Sequence, residues 1–577
     1  MKLNILGNYK DWISNYLKYT FDNIIKTDKN RYENNYESYK KRFFSNYYME
    51  QFYLDLSEIR VASKKVVDTM NMNRKILLVT DYDADGLTSA VVLTKFFRDI
   101  VKYKNTETVV NTRQDGNGFN KTLVNRILEI DANDKVSLII TADHGSSNNK
   151  EIGSLRSAGI ETIITDHHVI PKNNYPEYAY ALINAMKDDD KCYNLASGCY
   201  TAFMLCMGIY KEMNKDLKDM YPLLPYVAIS TVVDQMPMDH THNRSLTKLG
   251  IKIYNDRKDI NLIELNRVLE LPPLINYRNI GWNIGPFINS GNRCNTEQIV
   301  FNGLVENDKD KIIKDLSYAI NINNERKNDQ KEIYDKIEDD IVNIYPDIEN
   351  VFGLVLVIDT NYGIAGPIAS RVGDNYHKPT IVFRSSVKSG ILSGSGRAII
   401  DVNILEVLKE IQYKHPDVIK TAAGHSGACG IEIYSNKLNT FRELFSNGIK
   451  EVLNGELPVK EPIIAAYVDP KDIHLGLALE VEHMGPYGNS YPEPKFTTKM
   501  KYKSSFNMGS NKLCTFYRNK NVTIEAMYFF TDDYLNNDNW NDYLIPDQEY
   551  ELVFTVSIGY YRNSYSLSMV IENIIKH

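Results

Sequence analysis

The segment from Lys75 to Ser89, KILLVTDYDADGLTS, constrains the fold of this chain more than any other. It opens with an apolar run that has the length and branching of a buried strand, and residues 87–93 suit a helix. Between the two, Asp81, Asp83 and Asp85 stand at alternate positions. A strand that leads through a turn into a helix is the opening unit of a parallel α/β sheet, which binds ligands beyond the carboxyl ends of its strands.

Three carboxylates within five residues repel one another unless a cation lies among them. Hard oxygen ligands of this kind suit Mg²⁺ or Mn²⁺. The alternatives are a solvated acidic turn or a fragment of an EF-hand. An EF-hand loop follows a helix and has Glu at its twelfth position, whereas a strand precedes Asp81 and the twelfth residue counted from it is Val92. Taken alone, the segment leaves metal binding and a plain acidic turn both open.

The same pattern recurs three times further along the chain. Residues 136–142 (VSLIITA) lead to Asp143, residues 160–165 (IETIIT) lead to Asp166-His167-His168, and residues 226–233 (YVAISTVV), predicted as a fourth strand, lead to Asp234. The carboxyl ends of parallel strands meet at one edge of a sheet, so these side chains are expected to converge. A lone histidine is more often a core or surface residue than a ligand, but four matching strand ends indicate a shared metal site.

The DYDADG segment, the Asp-x-Gly turn at residue 143, the DHH triplet and the later Asp234 resemble the four motifs of the DHH phosphoesterase superfamily. Later segments narrow the resemblance to the RecJ-like single-strand-specific exonucleases. These are residues 283–293 (NIGPFINSGNR), 321–327 (NINNERK), 362–371 (YGIAGPIASR), 394–397 (GSGR), 422–430 (AAGHSGACG) and 484–496 (MGPYGNSYPEPKF). The resemblance runs in the family's order from about residue 55 to the end.

The resemblance implies a role for each residue of the site. The metal ligands would be Asp83, Asp85, Asp143 (bridging two ions), His167 and Asp234. His168 would contact the scissile phosphate, and Asp166 would orient a histidine. The family commonly carries a histidine four positions before Asp83, where this chain has Val79, and Asp81 could turn inward to compensate. The implied cofactors are two ions of Mn²⁺ or Mg²⁺, which activate water and neutralise charge at a phosphate.

The implied fold class is α/β: a parallel-sheet DHH catalytic domain, a long connecting helix, an α/β DHHA1 domain and a C-terminal β-barrel of the OB-fold type. The predicted boundaries are a helical N-terminal extension at 1–50, the catalytic domain at 51–320, the connecting helix at 321–346, the DHHA1 substrate-binding domain at 347–460 and the OB-fold at 461–577. The N-terminal extension is expected to pack against the catalytic domain. Short alternating strands after residue 462 suit a five-stranded barrel.

Candidate DNA contacts also follow from the resemblance. They are Arg293 in the first domain, Ser370, Arg371, Ser395, Arg397 and His425 in the second, and Lys501, Lys503, Phe516 and Tyr517, with Tyr502, in the barrel. Phe287 stands where the family usually has arginine, and a stacking surface is expected there. Any single lysine of the barrel could equally belong to a solvated face, and about half of the aromatic residues could fill the β core.

The bulk composition sets the remaining limits. The net charge is −7, so a nucleic-acid partner requires local clusters of cations rather than an overall excess. No apolar run approaches the roughly 18 residues of a membrane span, and no secretory signal opens the chain. Six cysteines form no CxxC pair. The expectation is a cytoplasmic monomer with no membrane association and no structural zinc.

The sequence therefore predicts a metal-dependent exonuclease that hydrolyses single-stranded DNA from the 5′ end, in DNA repair or recombination. Single-stranded DNA is the expected partner, with a single-strand-binding protein or a helicase as further partners. Two alternatives stay open. One is a phosphodiesterase of the same superfamily that acts on oligoribonucleotides or cyclic dinucleotides, and the other is an inactive replication scaffold of the same fold.

Overall fold

The structure is a computed structural model of the 577-residue chain. It describes residues 3–27, 35–45, 49–53, 56–113, 115–116, 118–171, 173–187, 196–360, 363–385, 390–399, 402–424, 426–457, 462–508, 511–529, 544–561 and 564–575. The chain forms two compact units. The first comprises Met1–Ile320 with Pro462–Phe529 and Leu544–His577, and the second lies within Asn321–Glu461.

A five-stranded parallel sheet forms the centre of the first unit. Its strands are β2 (Lys75–Thr80), β3 (Thr106–Val110), β4 (Val136–Ala142), β5 (Glu161–Asp166) and β6 (Ala181–Asn184), in the order β3-β2-β4-β5-β6. Every neighbouring pair is parallel. Strands β2 and β4 are buried on both faces, which explains their continuous apolar sequences. The predicted parallel sheet is confirmed, and its carboxyl edge collects the residues that follow β2, β4 and β5.

Helices surround this sheet, some packed on its two faces and the others packed on those helices. They are α3 (Ile59–Asn71), α4 (Ala84–Lys95), α5 (Lys121–Asn133), α6 (Asn149–Ser157), α7 (Gly198–Glu212), α8 (Leu224–Val233), α9 (Thr241–Asn255), α10 (Ile260–Val268), α11 (Tyr277–Asn279), α12 (Gly285–Cys294) and α13 (Glu297–Val305). Two π-helical turns, Phe96–Val101 and Ile280–Ile284, and a 3₁₀ helix, Leu217–Leu223, connect some of them.

Residues 226–233 correct one prediction. They were expected to form a fourth strand, but they lie in helix α8. The segment from Leu224 to Thr231 is buried on every side, so the sequence shows no polar face that would reveal a helical period. Short apolar runs of this kind fit a buried strand and a buried helix equally well. Asp234 therefore follows the C-terminus of a helix.

A closed barrel completes the first unit. It is built from β13 (Lys495–Met508), β14 (Asn511–Tyr517), β15 (Thr523–Tyr528), β16 (Glu549–Tyr561) and β17 (Ser564–Ile575), and β13 pairs with both β14 and β16 to close it. Strand β12 (Ile463–Tyr467) extends the sheet through β13, and helix α18 (Leu475–Met484) follows β12. The predicted five-stranded barrel is confirmed.

The N-terminal segment packs against this barrel rather than mainly against the catalytic domain. Strand β1 (Asn4–Ile5) pairs in parallel with β12, and helices α1 (Trp12–Thr27) and α2 (Tyr36–Phe44) follow it. The Trp12 ring lies edge-on against Phe496 at 5.3 Å, and its Nε1 donates to Glu480 at 2.9 Å. The Arg244 guanidinium of α9 lies 3.7 Å from the Phe43 ring and donates to the Pro486 carbonyl at 2.9 Å. These contacts join the two ends of the chain to α9.

The second unit contains the mixed sheet β10-β11-β9-β8-β7. Its elements are β7 (Leu354–Ile358), α15 (Ala365–Tyr376), β8 (Thr380–Arg384), β9 (Ile391–Arg397), α16 (Ile404–Lys414), β10 (Ile419–Gly424), β11 (Ala428–Tyr434) and α17 (Leu438–Val452). The connecting helix predicted at 321–346 lies in the C-terminal part of α14 (Lys309–Ile344). This 36-residue helix begins in the first unit, and its Ile337 and Ile341 pack in one apolar cluster with Leu354 and Leu356.

Within the described ranges, none of the helices is both long and apolar enough to cross a membrane.

Candidate metal centre

The turn between β2 and α4 places the first acidic side chains. Asp83 is the N-cap of α4, and its Oδ1 accepts a hydrogen bond from Gly86 N at 3.0 Å. Asp85 lies in the first turn of the helix and is buried. Burial and the Asp85 carboxylate raise the pKa of Asp83. A nearby cation would favour the ionised form of this carboxyl group.

The Asp85 carboxylate is fixed by the N-terminus of helix α7. Its Oδ2 accepts from Gly198 N at 2.7 Å, and its Oδ1 accepts from Cys199 N at 2.8 Å. Ser230 of α8 donates to Oδ1 at 2.5 Å and lies 2.6 Å from Ser197 Oγ. The first amides of a helix favour a negative charge, so Asp85 is held in one orientation.

His167 is the meeting point of three acids. Its Nε2 lies 3.2 Å from Asp143 Oδ1, 3.6 Å from Asp234 Oδ2 and 3.7 Å from Asp85 Oδ2. Asp143 follows β4 with a positive φ of 64°, a strained conformation that is typical of functional sites. Burial lowers the pKa of His167, which favours the neutral imidazole that a metal ion requires.

Asp166 positions the second histidine. Its Oδ1 accepts from His168 Nδ1 at 2.8 Å and from the backbone N of His167 at 2.7 Å, and its Oδ2 accepts from Ser146 N at 2.9 Å. These contacts lower the pKa of Asp166 although the group is buried. In return, the hydrogen bond to Asp166 raises the pKa of His168 to about 9. The hydrogen bond orients the His168 ring and favours its protonated form, and its side chain is 47% exposed.

The acids of the site are crowded. Burial, followed by Asp85 and Asp83, raises the pKa of Asp234 to about 9. Burial and four neighbouring carboxylates raise the pKa of Asp143 well above its ordinary value. Asp143 Oδ1 and Asp234 Oδ2 are buried and accept no hydrogen bond from the part of the chain that the structure describes. Such groups are costly unless they are protonated or bind a cation.

The donor set fits divalent cations. Two groups of atoms lie within 4.8 Å of one another: Asp143, His167 and His168, and Asp85, His167 and Asp234. Two ligands that each lie about 2.1 Å from an octahedral ion are about 3 Å apart, close to the observed separations. Because His168 Nδ1 is hydrogen-bonded to Asp166, His167 is the imidazole available to an ion, and carboxylate oxygens with one imidazole suit Mn²⁺ or Mg²⁺. The buried carboxylate oxygens of Asp143 and Asp234, which accept no hydrogen bond within the described residues, agree with this assignment.

Two other positions bear on the site. Val79 is fully buried in an apolar cluster with Leu77 and Phe119, and its carbonyl lies 3.1 Å from His144 Nε2. Val79 thus supplies no ligand. Asp81 belongs to neither group of ligand atoms, although burial and the Asp83 carboxylate raise its pKa to about 7. Its compensating role remains a prediction.

The barrel residues separate into buried and accessible ones. Lys501 and Lys503 are exposed on β13, and Lys503 Nζ lies 5.8 Å from the Tyr517 ring. Phe516 is wrongly predicted as a stacking residue, because it is 0% exposed and packs edge-on against Tyr502 at 5.7 Å. Tyr502 is buried as well. Both fill the barrel core, which is the structural alternative that alternating strands leave open.

A second correction concerns the segment that carries Arg293. Arg293 is half-buried near the end of α12. Phe287, the expected stacking surface, is 1% exposed and belongs to the core. The accessible aromatic side chain here is Trp282, which is 80% exposed in the π-helical turn.

In the second unit, the structure brings α15 and β9 together. Ser370 and Arg371 lie near the middle of α15, and the Arg371 guanidinium stacks 3.7 Å from the Tyr334 ring. Ser395 and Arg397 alternate along β9. A Cβ at Gly366 would lie 2.7 Å from Arg397 Nη2, so glycine at this position gives the guanidinium its space. His425 lies outside the described residues.

Sequence reasoning missed Ser197, Gly198, Ser230 and Asn289. Gly198 and Ser230 donate to Asp85, Ser197 lies 2.6 Å from the Ser230 hydroxyl, and a Cβ at Gly198 would lie 2.6 Å from Asp143 Oδ1. Asn289 Oδ1 accepts from Ala84 N at 3.0 Å. A Ser-Gly pair before an apolar helix is a capping signal that could have marked residue 197. Nothing in the sequence would have indicated the other contacts.

Comparison with known proteins agrees with this architecture. Three family models match the chain: the DHH family N-terminal domain at residues 75–229, the DHHA1 domain at 350–451 and the RecJ OB domain at 464–573. Together they account for more than half of the sequence. A parallel sheet with this acidic edge, followed by these two domains, defines a phosphoesterase of the DHH family, and the chain belongs to it.

Within that family the chain is RecJ-like. It is 26% identical over 541 residues to the single-stranded-DNA-specific exonuclease RecJ of Haemophilus influenzae, covering 89% of this chain and 90% of the relative. The Escherichia coli protein of the same name is 26% identical over 542 residues, covering 90% of each chain. A crystal structure of RecJ in complex with Mn²⁺ from Thermus thermophilus has the same fold, with a TM-score of 0.73 and 19% identity over 91% of this chain and 72% of that one.

Proposed function

We propose that this protein is a metal-dependent exonuclease that hydrolyses phosphodiester bonds of single-stranded DNA from the 5′ end, in DNA repair or recombination. The observation that carries the proposal is the convergence of Asp85, Asp143 and Asp234 within 3.7 Å of one imidazole nitrogen, His167 Nε2. The RecJ relatives, which match nine tenths of the chain, favour single-stranded DNA as the substrate.

We propose a two-ion centre. The two groups of ligand atoms overlap in His167, and Asp143 lies closest to it, so Asp143 is suited to bridge neighbouring ions. Asp85 and Asp234 would complete one site, with Asp83 beside Asp143 on the other. Divalent cations would supply Lewis-acid stabilisation of the phosphate and a lowered pKa for the attacking water.

Side chains and backbone amides of the protein hold the proposed metal ligands in place and balance charge at the phosphate. His168 commits Nδ1 to Asp166, which leaves Nε2 as its second donor. Because its pKa is raised to about 9, the imidazolium persists at neutral pH and can neutralise charge that develops on the scissile phosphate. The helix α7 amides and the Ser230 hydroxyl hold Asp85 in place as the substrate binds.

Trp282 is the aromatic surface that we propose for stacking of a base. A Cβ at Gly285 would lie 2.4 Å from Val233, the residue before Asp234, and α12 reaches the Asp83 turn through Asn289. The segment that carries the exposed indole is therefore attached to two acid-bearing turns. Stacking of a base on an aromatic ring contributes about 1–3 kcal/mol and tolerates every base.

A nuclease assay with Mn²⁺ tests the function. We expect 5′ mononucleotide release from a single strand and little from blunt duplex. Asp143→Asn should lower nuclease activity by more than about 100-fold, because mutation of a group that only orients a metal ligand typically costs about 10–100-fold. Faster hydrolysis of short oligoribonucleotides or cyclic dinucleotides would favour the phosphodiesterase alternative. Binding of DNA without any hydrolysis at saturating Mn²⁺ would favour the scaffold.

A further inference from the structure

A cavity of about 1280 Å³ lies in the catalytic domain, at the opposite end of three helices from the metal centre. Lys95 at the end of α4, Tyr210 near the end of α7 and Pro225 at the start of α8 line it. The opposite end of α4 carries Asp85, the opposite end of α7 binds the Asp85 carboxylate, and the opposite end of α8 precedes Asp234. At about 1.5 Å per residue, the 12 residues of α4 separate the two places by roughly 15–20 Å.

Helix α9 supplies one wall of the cavity. Its contributions recur every three or four residues along a single face: Ser245, Lys248, Leu249, Lys252 and Ile253. Tyr221 and Pro222 of the 3₁₀ helix add to the apolar lining. The wall is thus apolar with isolated ammonium groups, which is the usual make-up of a ligand pocket.

The cavity carries a surplus of positive charge in a chain whose net charge is −7. Lys95 is paired with Asp259 at 2.9 Å, and Asp99 is paired with Arg98 at 2.7 Å. Four further lysines have no ion-pair partner among the described residues, and they are Lys218, Lys248, Lys252 and Lys258. The remaining lining acids, Asp256 and Asp219, are exposed, as are Lys218, Lys252 and Lys258, and Asp219 accepts the Tyr210 hydroxyl at 2.7 Å. The lining as a whole holds five lysines and four aspartates.

Lys248 has the least favourable surroundings of the four. It is half-buried, and burial together with the Arg244 guanidinium one turn away lowers its pKa to about 7. A partly buried ammonium group that faces another cation is stabilised by a bound anion. Lys252 lies one turn further along the same face and can contact the same anion.

We propose that this cavity binds the phosphate monoester of a nucleotide, at a site separate from the metal centre. A phosphate monoester carries about −1.5 to −2 charges at neutral pH, which favours binding beside Lys248 and Lys252, and lysine binds phosphate as a point charge. Tyr221 and Leu249 offer an apolar wall to the sugar and base. The volume exceeds the roughly 300–1,000 Å³ of ordinary ligand pockets, so a mononucleotide or the 5′-phosphorylated end of a strand can enter.

Calorimetry measures nucleotide binding to the full chain in a phosphate-free buffer. The buffer contains EDTA, which removes divalent cations and so suppresses hydrolysis. Deoxythymidine 5′-monophosphate should bind, and thymidine should bind at least 10-fold more weakly. Lys248→Met and, separately, Lys252→Glu should each weaken monophosphate binding at least 5-fold. Lys64→Ala, which removes an exposed lysine on α3 outside the cavity, is the matched control and should have no effect.

Displacement then distinguishes the two sources of the phosphate. If a strand end is the ligand, a 5′-phosphorylated dT oligonucleotide displaces the monophosphate better than its 5′-hydroxyl counterpart; if the free nucleotide is the ligand, neither does. Equal binding of thymidine would overturn the proposal, as would unchanged binding in both lysine variants. Loss of binding in Asp143→Asn would also overturn it, because the nucleotide would then occupy the metal centre. If Lys248→Met fails to fold, the Lys252→Glu variant still tests the proposal, because Lys252 is exposed.

Discussion

The Ser230 hydroxyl donates a hydrogen bond to the Asp85 carboxylate over 2.5 Å, and so a residue inside helix α8 fixes a ligand on the turn before α4. Both groups are buried, and Ser230 also lies 2.6 Å from the Ser197 hydroxyl at the start of α7. Three helices are thereby connected at one carboxylate. The orientation of Asp85 depends on all three.

Ser230→Ala should weaken metal binding without unfolding the protein. Asp85 would lose one of its three donors, and removal of a group that orients a ligand typically costs about 10–100-fold in metal affinity. A Mn²⁺ titration by calorimetry measures the effect. Thr231→Val is the matched control, because among the described residues the Thr231 hydroxyl bonds only to the Val227 carbonyl of its own helix. Equal Mn²⁺ affinity in the two variants would contradict this role for Ser230.

Gly198→Ala should damage the same site by steric conflict. The added Cβ would lie 2.6 Å from Asp143 Oδ1, closer than two such atoms can approach, so either α7 or Asp143 must shift. We expect at least a 10-fold loss of nuclease activity, since displacements of about 1 Å cost that much in a preorganised site. Kinetics at saturating Mn²⁺, with circular dichroism to verify folding, measure the change. A folded variant with full activity would disprove the close approach.

Asp234→Asn should stabilise the metal-free protein and remove much of the stabilisation by Mn²⁺. Burial, Asp85 and Asp83 disfavour the ionised Asp234 carboxylate, and the neutral amide avoids that repulsion. Thermal midpoints in EDTA should therefore be higher for the variant by several degrees. In Mn²⁺ the wild type should gain more, because a ligand that binds only the folded state stabilises it. A wild type that unfolds at one temperature with and without Mn²⁺ would count against a metal centre.

Lys248→Met should alter how stability depends on pH. The lysine pKa is about 7 in the folded protein and about 10.4 in the unfolded chain. Between these values only the unfolded chain holds the proton, so the wild type gains stability as pH rises from 7 to 10. In phosphate-free buffer the variant should melt above the wild type at pH 7, and the difference should shrink by pH 10. A difference that is constant with pH would show that Lys248 is not desolvated.

Phe516→Ala should lower stability and Tyr517→Ala should weaken DNA binding, although the two residues are neighbours. Removing the buried Phe516 ring leaves a cavity in the barrel and should cost about 3–5 kcal/mol of stability. Tyr517 is half-buried beside Lys503, so its truncation should weaken single-strand binding by about 1–3 kcal/mol and change stability little. Urea denaturation and fluorescence anisotropy measure the two quantities. A stable Phe516→Ala that no longer binds DNA would restore the stacking interpretation.

The sequence predicts the metal centre well where an apolar strand is followed directly by acidic residues or histidines. Strands β2, β4 and β5 each contain a run of branched apolar residues, so both their existence and the polar residues after them could be deduced. Asp85, Asp143, His167 and Asp234 do converge. Helix α8 could not be deduced, because a segment that is buried on all sides has no polar face.

The supporting residues escaped prediction for a different reason. Gly198 acts through its backbone amide and through the absence of a Cβ, and Ser230 acts through one hydroxyl in an apolar run. Neither property gives a sequence period. Phe287 and Phe516 were misassigned because aromatic residues serve cores and binding surfaces alike, and only their burial separates the two uses.

The parallel pairing of β1 with β12 joins Asn4 to Ile463 and therefore bears on biosynthesis. The residues that β1 requires emerge from the ribosome some 460 positions later, which at about 5–20 residues per second is a delay of roughly 20–90 s. Trp12 and Tyr16 stay without their partners Phe496 and Tyr491 for all of that time. These two early aromatic side chains are thus among the last to reach their partners, and a nascent chain of this protein exposes them to chaperones for most of its synthesis.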